Sequence, residues 1–297
     1  MASLPPLKAL GARIGHATLA RQKTGCTVLL FDVPAVCGVQ VAGGAPGTRE
    51  TDLLDPTCLV NEVHAILLTG GSAFGLAAAD GVMRFLAERK IGYAVGADRV
   101  PIVPAAVIYD RATGEPAAPS AKDGYAACKK AAYATRSGAI GAGCGARVGK
   151  FSRNCAPDAG GIGVIVKNTG EITIAAVMVV NAFGNVIDPS TGHIVAGATD
   201  KKGNKVPYTG AKTFGLAGSN TVIGAVITNA ALNKAQAKRL AMAAHDGLAR
   251  TIVPAHTMYD GDTVFAASTG KKRADINALI ADAAQVAALA ILAAVRR

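Results

Sequence analysis

Gly218-Ser219-Asn220-Thr221-Val222-Ile223-Gly224-Ala225-Val226-Ile227 is where a polar, glycine-rich run gives way to an apolar run of β type. A strand that opens on threonine is ordinary, because β-branched residues suit a pleated surface. The same residue has a second reading. If the bond between Asn220 and Thr221 breaks, Thr221 carries a hydroxyl nucleophile and a free α-amine together. That amine, with an ordinary pKa of about 7.7–8.0, can accept the hydroxyl proton near neutral pH.

Context separates the two readings. Asn168-Thr169 is a second Asn-Thr pair, but it sits with Gly170 between Gly161-Ile162-Gly163-Val164-Ile165-Val166-Lys167 and the run from Glu171 to Asn181, the clearest β-hairpin in the chain. A cut there severs a tight turn and releases nothing. Upstream of Asn220, Thr199 to Ser219 is polar and rich in Gly and Lys, which reads as a segment free to swing away.

Composition bounds the rest. With 297 residues, 51% hydrophobic and 17% charged, the chain can bury a full core as one domain, 1–297. Thirty-five glycines, no tryptophan and 4% aromatics point to a core of Ala, Val, Ile and Leu. The formal charge of +11 is spread along the chain without an aromatic-rich binding motif, so no nucleic-acid partner is expected. Cys26, Cys37, Cys58, Cys128, Cys144 and Cys155 form no C-x-x-C pair and meet no histidine at zinc-ligand spacing, so neither a metal nor a disulfide scaffold is expected. Pro5, Pro6, Lys8 and Arg13 interrupt the N-terminal apolar run, which argues against a secretory segment and for a cytoplasmic protein. The apolar run from Ala283 to Val295 is shorter than the roughly 20 residues of a membrane span, so a buried helix and no membrane partner are expected.

Along the chain, Gly25–Phe31 and Ala35–Val41 read as a hairpin around Asp32-Val33-Pro34. Val63–Leu68 reads as a strand leading through Thr69-Gly70-Gly71 to a helix over 73–86, with Ser72 as its N-cap. Val100–Ile108, punctuated by Pro101 and Pro104, reads as an irregular or edge segment ending in Tyr109-Asp110. Ser137–Phe151 imitates two nucleotide loops and satisfies neither, since a P-loop needs Gly at 144 and Ser or Thr at 151. What remains is a backbone able to pass close to something, ending in Lys150, and no cofactor is expected. Asn181 ends an apolar strand and needs hydrogen bonds if it points inward. Asn233 can cap a helix from Lys234 to about Ala249, on which His245 reads as structural. In Asp260-Gly261-Asp262 an extended backbone aims both carboxylates at one face.

Taken together, Gly43-Gly44-Ala45-Pro46-Gly47-Thr48-Arg49-Glu50-Thr51, Leu68–Leu76, Val100–Asp110, Asn220-Thr221 and Asp260-Gly261-Asp262-Thr263-Val264-Phe265 resemble one family over nearly the whole chain. It is the family of L-aminopeptidase/D-esterases, β-aminopeptidases and nylon-oligomer hydrolases. The resemblance implies a four-layer α/β/β/α sandwich, similar to N-terminal-nucleophile hydrolases but with its own strand connectivity. It implies a precursor that cuts itself between Asn220 and Thr221 into fragments 1–220 and 221–297, and a homo-oligomer, dimer or tetramer, of cleaved protomers. Thr221 is then the nucleophile acting on small peptides or amides. Lys150 resembles the family's charged lysine, Asn181 its oxyanion-supporting asparagine, and Tyr109 a further donor on the site wall. Asp260 and Asp262 would orient the Thr221 ammonium, with Lys150 keeping both ionised. The aminopeptidase branch pairs a serine nucleophile with Ser-x-Glu; Thr with Asp-x-Asp looks more like the nylon-oligomer branch. An acyltransferase of the ornithine-acetyltransferase type and a non-catalytic binding protein stay open as alternatives.

Overall fold

Residues 25–31 and 35–41, expected as the arms of a hairpin, are one continuous strand from Thr24 to Val41 in the computed structural model, which describes residues 7–111, 117–210 and 219–296. The difference comes from pairing that local sequence does not record. The first part of this strand pairs with Ala12–Leu19 and with Glu62–Thr69, whereas the last part pairs with Thr263–Lys272. The register shifts between Leu30 and Ala35, where Asp32, Val33 and Pro34 are exposed. Pro34 lacks an N–H for a ladder and is tolerated at that break.

With β1 as Ala12–Leu19, β2 Thr24–Val41, β3 Thr48–Arg49, β4 Glu62–Thr69, β5 Ala105–Val107, β6 Gly161–Thr169, β7 Ile172–Asn181, β8 Thr221–Ala230 and β9 Thr263–Lys272, the hydrogen-bonded order is β6-β7-β8-β9-β2-β4-β5-β3, with β1 also on β2. The α-helices are α1 Ala78–Ala87, α2 Ala121–Lys129, α3 Lys234–Thr251 and α4 Ile276–Val295.

Side-chain alternation shows how this path folds over on itself. On β2, Cys26, Val28 and Leu30 pack with Val82 and Leu86 of α1 and Ala127 of α2, while Leu29 and Phe31 point the other way. There they meet Val177 and Val179 of β7, Ile223 and Ile227 of β8, and Phe265 of β9. The opposite faces of those strands, with Met178, Val222, Val226 and Val264, pack on Leu240 and Leu248 of α3 and Val286 and Ile291 of α4. Three successive cores separate four layers, which is the α/β/β/α sandwich. Each fully buried aliphatic side chain contributes about 1.5–3 kcal/mol of transfer free energy. Coverage on both faces explains why Val222 to Ile227 of β8 reads as an unbroken apolar run, with all ten residues of the strand buried.

Several local expectations hold. β6 and β7 pair from Gly161↔Val180 to Thr169↔Ile172, closing at Gly170 with φ 59°. The Asn233 side chain accepts from the Gln236 N–H at 2.8 Å, and the Gln236 side chain accepts from the Asn233 N–H at 3.0 Å. One expectation is corrected. Ser72 is not a cap: with φ 57° it opens a 3-10 turn, Ser72–Ala77, its N–H donates to Ile108 O, and α1 begins only at Ala78. The expected C-terminal helix is present as Ile276–Val295, and an 18-residue window of it, with a mean hydropathy of 2.1, meets the length and composition of a membrane span. It packs on α3, β6 and β7, with Ala283, Ala287, Ala290 and Ile291 buried.

One lysine fastens the layers. The Lys234 ammonium, buried at the start of α3, donates to Leu53 O at 3.0 Å, Cys58 O at 2.9 Å and Val60 O at 3.0 Å. A buried carbonyl left without a donor costs about 1–3 kcal/mol. Lys234→Met is therefore expected to destabilise the fold by at least about 2 kcal/mol, read as a lower midpoint in urea at unchanged m-value.

Candidate active site

The end of the central sheet gathers residues that are far apart in sequence. Thr221 is the first residue of β8, Asn181 is the last of β7, and the antiparallel register places them opposite each other. β9 runs parallel to β8 from Ile223↔Thr263, and an Asn220–Asp260 bridge continues that pairing upstream. Asp260, Gly261 and Asp262 therefore lie alongside the Asn220–Thr221 junction.

Lys150 arrives from outside the sheet on the glycine-rich run. That run presents no phosphate cradle, because the Gly141 N–H donates to Thr18 Oγ1 at 2.8 Å and the Ala142 N–H to Thr27 Oγ1 at 3.1 Å. At Gly149, with φ 75°, a Cβ would lie 2.0 Å from Ala198 N, so only glycine lets the chain pass. The Lys150 N–H then donates to Phe183 O, and its side chain turns inward.

The Lys150 ammonium has three acceptors for its three protons: Asn181 O at 2.9 Å, Asn181 Oδ1 at 3.0 Å and Ser219 O at 2.8 Å. Burial lowers its pKa to about 7, against the pull of the Asp260 and Asp110 charges. Asn181 is fixed from every side. Its Nδ2 donates to Tyr109 O at 3.0 Å and to Ser219 O at 3.3 Å, and its Oδ1 also accepts the Arg147 N–H at 3.0 Å. Tyr109 thus enters through its main-chain carbonyl. Next to it the Asp110 carboxylate, raised in pKa by burial, accepts the Gly71 N–H at 2.8 Å.

The junction itself is closed to solvent, Asn220 being 0% and Thr221 3% exposed. The Asn220 carbonyl oxygen accepts the Gly261 N–H at 2.9 Å and is also in contact with the Thr221 hydroxyl. Upstream, the segment expected to swing away is tied down over its described part. Thr199 bridges Ala156 and Lys205, and the Tyr208 ring packs on Phe151 and Phe183 at 5.3 and 6.3 Å. The remainder, 211–218, lies outside the described residues.

Asp260 and Asp262 are buried and have separate partners. Asp262 Oδ1 accepts the Val222 N–H at 2.7 Å; its Oδ2 accepts the His256 N–H at 3.1 Å and pairs with His256 Nδ1 at 2.8 Å. Asp260 Oδ2 accepts from the Thr257 N–H at 2.9 Å and the Thr257 hydroxyl at 2.6 Å. Burial and the charge of Asp262 push Asp260 up to about 6, with the Thr257 donors working against them. Lys150 donates to neither carboxylate; the group paired with Asp262 is the His256 imidazole. Burial works against the His256 charge, but the hydrogen bond and charge of Asp262 hold this imidazole above the ordinary histidine value. His245, on α3, stands edge-on to His256 at 4.8 Å, bonds Gln40 O at 2.9 Å and is lowered by burial, in keeping with a structural role.

Sequence reading missed His256, the Arg147 N–H and the Gly261 N–H. Only His256 left a trace, as an ionisable side chain close to the acidic pair. Among the described residues, no group of three or more His, Cys, Asp or Glu is placed to hold a metal ion. The arrangement offers a hydroxyl against a peptide carbonyl that already has a donor, the ammonium of a half-buried lysine with an amide beside it, and two carboxylates next to the amine that a cut would free.

Known proteins resemble this chain over most of its length. A model described as Peptidase family S58 matches residues 9–297. An uncharacterized aminopeptidase of Mycobacterium tuberculosis is 44% identical over 281 residues, 88% of this chain and 80% of the relative. A 6-aminohexanoate-oligomer endohydrolase of Kocuria is 30% identical over 276 residues, 87% and 73% respectively. Among solved structures, a Burkholderia β-aminopeptidase superposes with TM-score 0.74 at 22% identity over 96% of this chain and 84% of its own. The L-aminopeptidase D-Ala-esterase/amidase of Ochrobactrum anthropi, described as a variant of the Ntn hydrolase fold, gives 0.73 at 19% identity over 99% and 87%.

Proposed function

Because the chain belongs to peptidase family S58 and is a hydrolase of peptide or amide bonds, we propose that it matures by cutting itself between Asn220 and Thr221 and then uses Thr221 as an N-terminal nucleophile. One observation carries this reading: the buried Thr221 hydroxyl touches the carbonyl of the preceding residue, and that carbonyl already accepts a backbone N–H. Attack of Oγ on the Asn220 carbonyl carbon forms an ester and breaks the peptide C–N bond, the hydroxyl proton ending on the new amine. One water then divides the ester into a chain ending at Asn220 and one starting at Thr221.

In turnover the freed α-amine takes the Thr221 proton and returns it to the leaving amine. The Lys150 ammonium and Asn181 Nδ2, which converge on Ser219 O before the cut, hold the substrate oxyanion once that carbonyl has left. Asp262, on the Val222 N–H, and Asp260 support the positive charge of the Thr221 amine. Substrates are small peptides, amino-acid amides or oligomers, a reading supported by relatives named as an aminopeptidase and as a 6-aminohexanoate-oligomer endohydrolase. The working protein is a cytoplasmic homo-oligomer of cleaved protomers; exposed Leu59, Phe74 and Met258 are apolar surface for such an assembly.

The test is product analysis. Matured protein given short peptide amides and aminohexanoate oligomers should release free acid and free amine, with little change when a competing amine is added. Transfer of the acyl group to the added amine would instead make it an acyltransferase, and no turnover of any amide would make it a binding protein.

A further inference from the structure

We infer that self-cleavage and turnover draw on different oxyanion donors, and that the donor for self-cleavage is the backbone N–H of Gly261. The inference rests on the self-processing reading and adds the group that stabilises its transition state.

The donors of the substrate site are not on the bond to be cut. Lys150 Nζ and Asn181 Nδ2 both donate to Ser219 O, one residue upstream. Both of these donors serve the Ser219 oxygen, and the oxygen of residue 220 is served by a different group. That oxygen accepts from Gly261, at 2.9 Å. When Oγ of Thr221 adds to the Asn220 carbonyl carbon, the negative charge develops on this oxygen. As the C–N bond breaks, the oxygen returns to a carbonyl, now of the ester, and the Thr221 nitrogen gains the proton.

The Gly261 N–H is held before the reaction begins, which is what makes a donor effective. On either side of it, Asp260 O accepts the Ala45 N–H at 2.8 Å, and Asp262 O accepts the Ala42 N–H at 2.9 Å. The two flanking carboxylates are anchored on Thr257 and on Val222 and His256. Upstream pairing of Asn220 with Asp260 keeps donor and acceptor in register. The residue type fits the task as well. A Cβ at position 261 would lie 2.6 Å from Ala45 O and 3.0 Å from Thr221 Oγ1, so a side chain there would press on the nucleophile.

An amide-to-ester exchange tests this directly, because it removes one N–H and leaves the side chains alone. Glycolic acid would be placed at position 261 in the full chain, and phenyllactic acid at Phe265, further along the same β8–β9 pairing, would serve as the control. Appearance of the fragment that starts at Thr221 is followed by mass spectrometry, and stability by thermal unfolding. Loss of one oxyanion donor slows a reaction by about 10²–10³-fold, and that slowing is expected at 261. The Phe265 ester is expected to cut within a few-fold of the natural chain while losing similar stability. Equal rates in the two esters overturn the inference and reduce the Gly261 N–H to a ladder bond. A natural chain that never cuts removes the self-processing reading itself, and this inference with it.

Discussion

The Thr221→Ala protein is expected to stay a single chain of 297 residues through prolonged incubation and to hydrolyse no peptide amide, at least about 10⁴-fold below the natural protein. Two functions are lost because one oxygen serves both. The hydroxyl at the start of β8 attacks its own upstream carbonyl first and the substrate carbonyl afterwards. The fold should survive, since the change removes one hydroxyl and one methyl at a buried position and costs about 1–2 kcal/mol. The Asn220 carbonyl keeps its bond from Gly261. A Thr221→Ser protein keeps the nucleophile and is expected to cut and to turn over. Amide hydrolysis by the alanine protein would assign the chemistry to another residue.

The second large effect is expected at Lys150. Its ammonium is enclosed by Asn181 O, Asn181 Oδ1 and Ser219 O. In Lys150→Met the oxyanion loses a charged donor, and the Asn181 side chain keeps its bonds to the Arg147 N–H, to Tyr109 O and, before the cut, to Ser219 O. Counted per matured site by mass spectrometry, kcat is expected to fall about 10²–10³-fold with little change in KM. A stability readout accompanies it. The folded state lowers the lysine pKa from 10.5 to about 7, so burial of the charge opposes folding at and below pH 7. That opposition fades as pH rises from about 7 toward 10.5, because the unfolded chain binds the extra proton in this window. The uncut precursor should therefore gain stability over that range, and Lys150→Met should flatten the gain.

How much of this was legible in the sequence follows the reach of each signal. The turn at Asn168-Thr169-Gly170 and the cap at Asn233 depend on neighbours a few residues away, and both are where local chemistry puts them. β2 differs from its sequence reading because its two halves serve different layers of one continuous hydrogen-bonded path, and no local pattern records a strand that crosses between layers. β1 went unseen, since Arg13, Gly15 and His16 interrupt the alternation of a half-buried strand. The site divides in the same way. Thr221, Asp260 and Asp262 stand out by type and spacing, whereas Lys150 looks like any solvated lysine until the fold encloses it. His256, held at φ 55° against Asp262, needed the backbone to be seen. A main-chain donor such as the Gly261 N–H leaves no mark in a sequence.

The central claim is that Thr221 becomes the first residue of its own polypeptide. Intact-mass analysis of purified, aged natural protein, with N-terminal sequencing of each species, measures this most directly. Two chains are predicted, 1–220 and 221–297, the second beginning Thr-Val-Ile-Gly. A single full-length species that yields only the N-terminal start, in material that nonetheless hydrolyses amides, would contradict it.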